Sequence, residues 1–238
     1  MSKNVEILKA RSYYYEFLAM PFFFYETADK FNLWRAQLDE LATNPLNEES
    51  ANAFAELKKI DFKAFKAEQN SVLFDLSYIN VPLGISFYEE GRDEGAARLR
   101  AIEILKKSGY RRDVIKCKSS EDFVGFIFLL MATFLRDEIN EEISEQSFST
   151  ELFESLVNGF IDEFIQMLYD HEKAEFFRSL ALVMKSFFAL ERSLLAIEAP
   201  QRDKSVQSPA EAALNRKPYQ TKMPTAKSKI HWDEFTAL

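Results

Sequence analysis

The chain is poor in three residue types that functional frameworks usually need. It has 6 glycines, 1 cysteine and 2 histidines in 238 residues. Soluble proteins average ~7% glycine, so this is roughly a third of the usual share. Strand-rich folds and phosphate-binding loops use glycine for turns and close backbone approach, so its scarcity points to helices. One cysteine excludes a disulfide framework, and with two histidines it excludes a Cys/His zinc site or an iron–sulfur cage. A reducing, intracellular compartment suits such a chain. No stretch is long and apolar enough for a membrane span: Gly125 to Leu135 covers eleven residues between Asp122 and Arg136. The start, Met1-Ser-Lys-Asn-Val-Glu, has no apolar core of a secretory signal.

What is abundant is apolar and aromatic. Hydrophobic residues make up 47% of the chain and 23 residues are Phe, enough for a large interior filled by flat rings. The net charge of −8 argues against general nucleic-acid binding. From Pro200 onward there are seven Lys/Arg against four Asp/Glu. Residues 1–199 hold 23 against 34, or −11, an acidic body suited to a basic ligand.

Apolar residues recur at helical spacing over residues 5–20, 27–41, 48–57, 61–69, 98–107, 121–135, 151–169 and 174–197. Pro21, Asn44-Pro45 and Ser108-Gly109 are natural stops. Ser119 and Ser120, followed by Glu121 and Asp122, look like the N-terminus of the helix that follows. The fold expected is all-α: a compact single-domain helical bundle. Between Asn70 and Asp93 the periodicity fails in an apolar, aromatic stretch holding Pro82, Gly84 and Gly91, so a hydrophobic mid-chain loop is expected there. Two regions follow: a helical domain over 1–199 and a Pro/Lys-rich tail over 200–238, expected to be disordered. The tail closes on Ile230, Trp232, Phe235 and Leu238, which could dock in a groove of the body.

Catalytic motifs are missing. There is no phosphate loop, dinucleotide fingerprint, nucleophile elbow or H-E-x-x-H. His171 lacks the Glu three residues earlier that a carboxylate-bundle metal site needs, since position 168 is Leu. Cys117 between Lys116 and Lys118 could carry a lowered pKa, although an inert surface thiol is the plainer reading. An enzyme is not expected, and no cofactor is expected either.

One constellation is informative. Pro82-Leu-Gly-Ile-Ser86-Phe-Tyr88 is followed by a helix ending at Gly109, then by Glu121-Asp122-Phe123 opening an apolar helix with Met131-Ala132. Near the start stands Arg11-Ser-Tyr-Tyr-Tyr15-Glu-Phe-Leu18-Ala, and Val72-Leu-Phe74 precedes the Pro82 segment. In order and spacing these resemble the redox-enzyme maturation chaperones related to TorD and DmsD, over roughly residues 5 to 195. The resemblance implies a single all-helical cytoplasmic domain that binds the twin-arginine signal peptide and apo form of a molybdoenzyme, delaying export until cofactor insertion. Formate dehydrogenase is one candidate client, which the sequence does not name.

Carried over by position, Pro82, Ser86, Tyr88, Glu121 and Asp122 match the family's peptide-binding and signature residues, and Tyr15 and Phe74 match lining aromatics. Phe123 stands where the family usually has His, which removes a titratable group. The resemblance further implies a monomer or domain-swapped dimer, with no nucleic acid and no stable membrane insertion. The chemistry agrees in kind, because two guanidiniums and an apolar segment call for carboxylates beside an aromatic groove. Glu121 and Asp122, with Glu89, Glu90, Asp93 and Glu94 nearby, are the candidate carboxylates. They can equally be first-turn helix acids and a solvated turn. A second function stays open: a non-catalytic assembly subunit packed stably on a partner redox enzyme.

Overall fold

The structure, a computed structural model, describes residues 5–75, 80–140, 147–202 and 205–215. Among them the chain forms α1 (Val5–Ala19), α2 (Asp29–Leu41), α3 (Glu48–Leu57), α4 (Phe62–Gln69), α5 (Ile85–Glu90) and α6 (Ala96–Lys107). Then come α7 (Val124–Asn140), α8 (Phe148–Leu152), α9 (Asn158–Asp170), α10 (Phe176–Leu195) and α11 (Pro209–Leu214). A 3-10 turn follows α1 at Met20–Phe22, and π turns occupy Asn70–Phe74 and Phe153–Val157. The expected all-α bundle is what forms, with no strand among the described residues.

Helix α1 runs along α7, while α10 packs on α3 and α9. The seam between them is aromatic. Trp34 stacks between Phe17 and Phe31, with centroids 5.1 and 5.5 Å apart. Phe65 continues the column to Phe31 at 4.9 Å and to Phe176 at 4.7 Å. Fully burying each such ring contributes roughly 1.5–3 kcal/mol, so the 23 Phe are the main stabilising resource.

Pro21 ends α1 for a specific reason. Proline has no N–H to donate to the carbonyl four residues earlier, and that carbonyl belongs to Phe17. The Trp34 indole N–H donates to it instead, at 3.1 Å, so no buried acceptor is orphaned.

A buried polar cluster ties α1 to α10. Arg11 donates to Glu191 through Nε at 2.6 Å and Nη2 at 3.0 Å, and the Tyr15 hydroxyl donates to the same carboxylate at 3.0 Å. Arg11 and Tyr15 are one helical turn apart, so both fall on the face toward Glu191, which is fully buried. Burial pulls the Arg11 guanidinium toward a lower pKa and Glu191 more than reverses it. The Tyr15 phenol is pushed well above its ordinary value by burial and then by the Glu191 charge.

Short helices lie within the mid-chain interruption and just after residue 199. The segment read as a loop over 70–93 contains α5, a helix too short for periodicity to show. The body also continues past 199: α11 packs on α5, and Ala210 is fully buried. Its start carries a reciprocal cap, with Ser208 Oγ accepting from Glu211 N–H at 3.1 Å and Glu211 accepting from Ser208 N–H at 3.1 Å. Residues 216–238, including Ile230, Trp232, Phe235 and Leu238, lie outside the described residues.

Candidate functional site

The two segments that carry the family-like motif are laced together. The Ile85 N–H donates to the Asp122 carbonyl at 3.0 Å, and the Val124 N–H donates to the Leu83 carbonyl at 2.9 Å. Gly84 and Phe123 therefore face each other as a single antiparallel bridge. Helix α5 begins after Gly84, which has no side chain to cap it. Asp122 supplies the cap from the other segment. Its Oδ2 accepts from the Ser86 N–H at 3.0 Å and the Ser86 hydroxyl at 2.5 Å. Its Oδ1 accepts from the Ser120 hydroxyl at 2.6 Å. The Tyr88 hydroxyl closes the far side by donating to the Pro82 carbonyl at 2.8 Å, its ring set against Phe160 and Phe164.

Pro82, Ser86, Tyr88, Asp122 and Phe123 are thus brought together, with Glu121 at the edge. Exposure changes their reading. Ser86 and Asp122 are fully buried and Tyr88 nearly so, which makes them a clamp rather than a surface. Ser120 does not cap α7 with its hydroxyl, which is directed to Asp122, and α7 starts only at Val124.

The carboxylates expected to meet guanidiniums already hold the chain's own. Glu121 accepts from Arg98 Nε at 2.7 Å and from Arg112 Nε at 2.9 Å. Partial burial would raise its pKa, yet the hydrogen bonds from Arg98 and Arg112 prevail and lower it. Among the acidic residues after Tyr88, Glu89 pairs with Arg100, Glu90 with Arg92, and Glu94 with Arg98.

Asp93 is the exception. It is exposed and forms no ion pair among the described residues. It also stands over the clamp, with Oδ1 3.4 Å from where a Cβ on Gly84 would lie. Nothing in the spacing of Glu89, Glu90, Asp93 and Glu94 distinguished it, because the difference lies in which acids find an arginine.

Beside the clamp is an aromatic ledge. Phe123 meets Phe23 edge to face at 5.1 Å, filling the place where the resemblance leads one to expect His. Gly125 makes this possible, since a Cβ there would sit 2.8 Å from the Phe123 ring and 2.9 Å from the Phe23 ring. The next residue, Phe24, is 52% exposed and packs edge to face on Phe74 at 5.7 Å. Two side chains of α4 hold this turn in shape. Gln69 Nε2 donates to the carbonyls of Pro21 and Phe23, both at 2.8 Å. Lys66 donates to the Tyr25 carbonyl at 2.6 Å and lies 4.9 Å from the Phe24 ring centre. Phe74 ends the π turn that extends α4, where one extra residue per turn shifts the side chain's direction. Tyr15 does not join this surface, because it lies in the core with Glu191.

On the other flank of α5, the chain's C-terminal segment lies across α9. Glu163 accepts from Arg202 and from the Ser208 hydroxyl, and Arg202 also donates to the Gly159 carbonyl at 2.7 Å. An open cavity of about 520 Å³ remains between Tyr88, Glu89, Arg202, Val206, Ser208 and Pro209.

Burial raises the Cys117 thiol and Arg112 opposes it less, so the lowered pKa considered from the flanking lysines is not found. No group of three metal-ligating side chains occurs among the described residues.

No protein-family model matches the chain, and no curated protein matches it in sequence. Among solved structures, the chain is similar to the crystal structure of a "putative redox enzyme maturation protein" from Archaeoglobus fulgidus. The TM-score is 0.50 and the identity 20%, over 79% of this chain and 96% of that one. At this identity the likeness is one of architecture, and the conclusion it carries is that the two chains share an all-helical fold.

Proposed function

We propose that the protein is a maturation chaperone for a redox enzyme, and that it binds the twin-arginine signal peptide of a molybdoenzyme client beside the clamp. The observation that carries this reading is the adjacency of an aromatic ledge, exposed at Phe24, and a carboxylate with no ion pair among the described residues: Phe24 with Phe74, then Phe23 with the buried Phe123, then Asp93 above Gly84. A twin-arginine signal presents adjacent guanidiniums followed by an apolar stretch. Asp93 suits the first as a charge-assisted hydrogen-bond acceptor, and the ledge suits the second by apolar burial. The clamp's part is indirect. Asp122 and Ser86 hold the backbone under Asp93 rigid, while Glu121 keeps Arg98 and Arg112 away from that carboxylate. The shared fold with a redox enzyme maturation protein supports the same reading. No bond is made or broken in this role; the protein would hold the signal in the cytoplasm until the cofactor, in formate dehydrogenase or another client, is in place.

Calorimetry with client twin-arginine peptides tests the reading. The wild-type protein should bind such a peptide, and Asp93→Asn should weaken binding about tenfold, the size expected from losing one charged hydrogen bond. Replacing both peptide arginines with alanine should remove the difference between wild type and Asp93→Asn. Absence of binding with an intact fold rejects the proposal. Co-purification with a matured enzyme at fixed stoichiometry would favour a stable assembly subunit instead.

A further inference from the structure

The charge of this acidic protein reverses locally. Residues 106–118 hold six Lys/Arg and one Asp, or +5, in a chain of net charge −8. This stretch lies at the end of α6 and in the connection to α7. At its middle is a turn that exposes Val114 by 62% and Ile115 by 84%. The one acid of the stretch shapes that turn. Asp113 Oδ1 accepts from the Ile115 N–H at 3.0 Å and the Lys116 N–H at 3.2 Å, and its carbonyl accepts from the Cys117 N–H at 2.8 Å. Arg112 points inward and anchors the base, donating to Glu121 at 2.9 Å and to the Cys117 carbonyl at 2.6 Å. Lys107 pairs with Glu103 and Glu151, and the other four cations point outward. Lys106, Arg111 and Lys118 are exposed and form no ion pair among the described residues. Lys116 is 3.7 Å from Asp113 with its side chain 85% exposed.

We propose that this loop is a peripheral contact with an anionic lipid surface. Two aliphatic side chains on a rigid turn, ringed by cations, match the boundary of such a membrane, where acyl chains lie just beneath phosphates. An apolar protein patch would accept Val114 and Ile115 but leave the four outward cations without partners. A nucleic acid would accept the cations and offer the aliphatics nothing. Repulsion of the acidic body is confined by a screening length of about 8 Å at physiological ionic strength, so a projecting loop feels its own charge first. The contact is peripheral, since no described helix is long and apolar enough to cross a membrane.

Co-sedimentation with phosphatidylglycerol-rich vesicles, against pure phosphatidylcholine vesicles, tests this on the full chain. Wild type should bind the anionic vesicles only. The pair R111Q/K118Q should weaken partitioning about twenty-five-fold, following from about fivefold per cation at such a surface. The pair V114S/I115S should weaken it as well, and both variants should keep the wild-type melting temperature because these side chains are exposed. Failure of wild type to bind anionic vesicles overturns the proposal, as does equal binding to neutral ones or binding that survives V114S/I115S. Capture of duplex DNA without capture of vesicles overturns it in favour of a polyanion site. None of these residues lies in the peptide site, so the two proposals fail independently.

Discussion

The Ser86 hydroxyl lies 2.5 Å from Asp122 Oδ2 across 36 residues of sequence, and this contact joins the two motif segments at the start of α5. It converts a carboxylate that looks like a ligand group into the cap of a helix lacking its own. Replacing Asp122 with Ala should therefore cost stability. Two buried donors on Ser86 and the half-buried Ser120 hydroxyl lose their acceptor, so unfolding free energy should fall by about 3 kcal/mol. Asp122→Asn, which keeps an acceptor oxygen, should cost less. Urea unfolding of the two variants decides this, and a loss below about 1 kcal/mol for the alanine variant would refute the structural role.

Arg11, Tyr15 and Glu191 make a second prediction. Glu191→Ala leaves a buried guanidinium without its counter-charge and should destabilise by about 3–5 kcal/mol. Arg11→Met with Glu191→Leu should recover most of that loss, because both charges leave together. A thermal double-mutant cycle would show coupling of this kind; additive losses would contradict it.

Acid stability should report Glu121. Its pKa is lowered in the fold, so its contribution is present above the unfolded value of about 4.3 and disappears as pH falls through the folded one. Glu68 acts in the opposite sense, in the adjoining range above that unfolded value. Burial raises its pKa despite three backbone hydrogen bonds, and its contribution declines as pH rises. The useful measurement is thus the difference between wild type and Glu121→Gln. That difference should shrink toward zero as the pH is lowered below 4.3, and an unchanged difference at acid pH would count against the Arg98–Glu121–Arg112 arrangement.

Gly91 should prove intolerant of a side chain for two reasons. Its φ is +66°, and a Cβ would lie 2.6 Å from the Pro209 carbonyl oxygen. Gly91→Ala should cost about 1–2 kcal/mol from the left-handed backbone and should also loosen α11. Proteolysis within residues 200–208 should accelerate, and in a chain ending at residue 199 only the backbone cost should remain. Equal costs in the two backgrounds would mean that α11 does not rest on α5.

Most of the helices were legible in the sequence, because Phe31, Trp34, Leu38 and Leu41, or Phe160, Phe164 and Leu168, repeat at one face. Helix α5 was not, since six residues hold too few turns to show a period. Helix α11 left a readable trace that composition obscured: Ser208-Pro209-Ala210-Glu211 pairs a capping Ser with Pro in the first turn and Glu at the third position. Of the candidate site, residue order foretold that Pro82, Ser86, Tyr88, Glu121, Asp122 and Phe123 lie together, but not which acids find partners: Glu121 holds Arg98 and Arg112, Asp122 holds Ser86 and Ser120, and Asp93 forms no ion pair among the described residues.

The sequence by itself determined the helical class, the break at Pro21 and the shared face of Arg11 and Tyr15, because these follow from bonding and periodicity within a few residues. Only the tertiary structure decided where the charges end. Glu191 reaches Arg11 across 180 residues. Glu68 accepts the first N–H groups of α10 at 2.8–2.9 Å, and Asp122 does the same service for α5. A helix without a cap of its own leaves donors that must be satisfied, and which carboxylate arrives depends on how the helices pack. Local pattern carries no record of that.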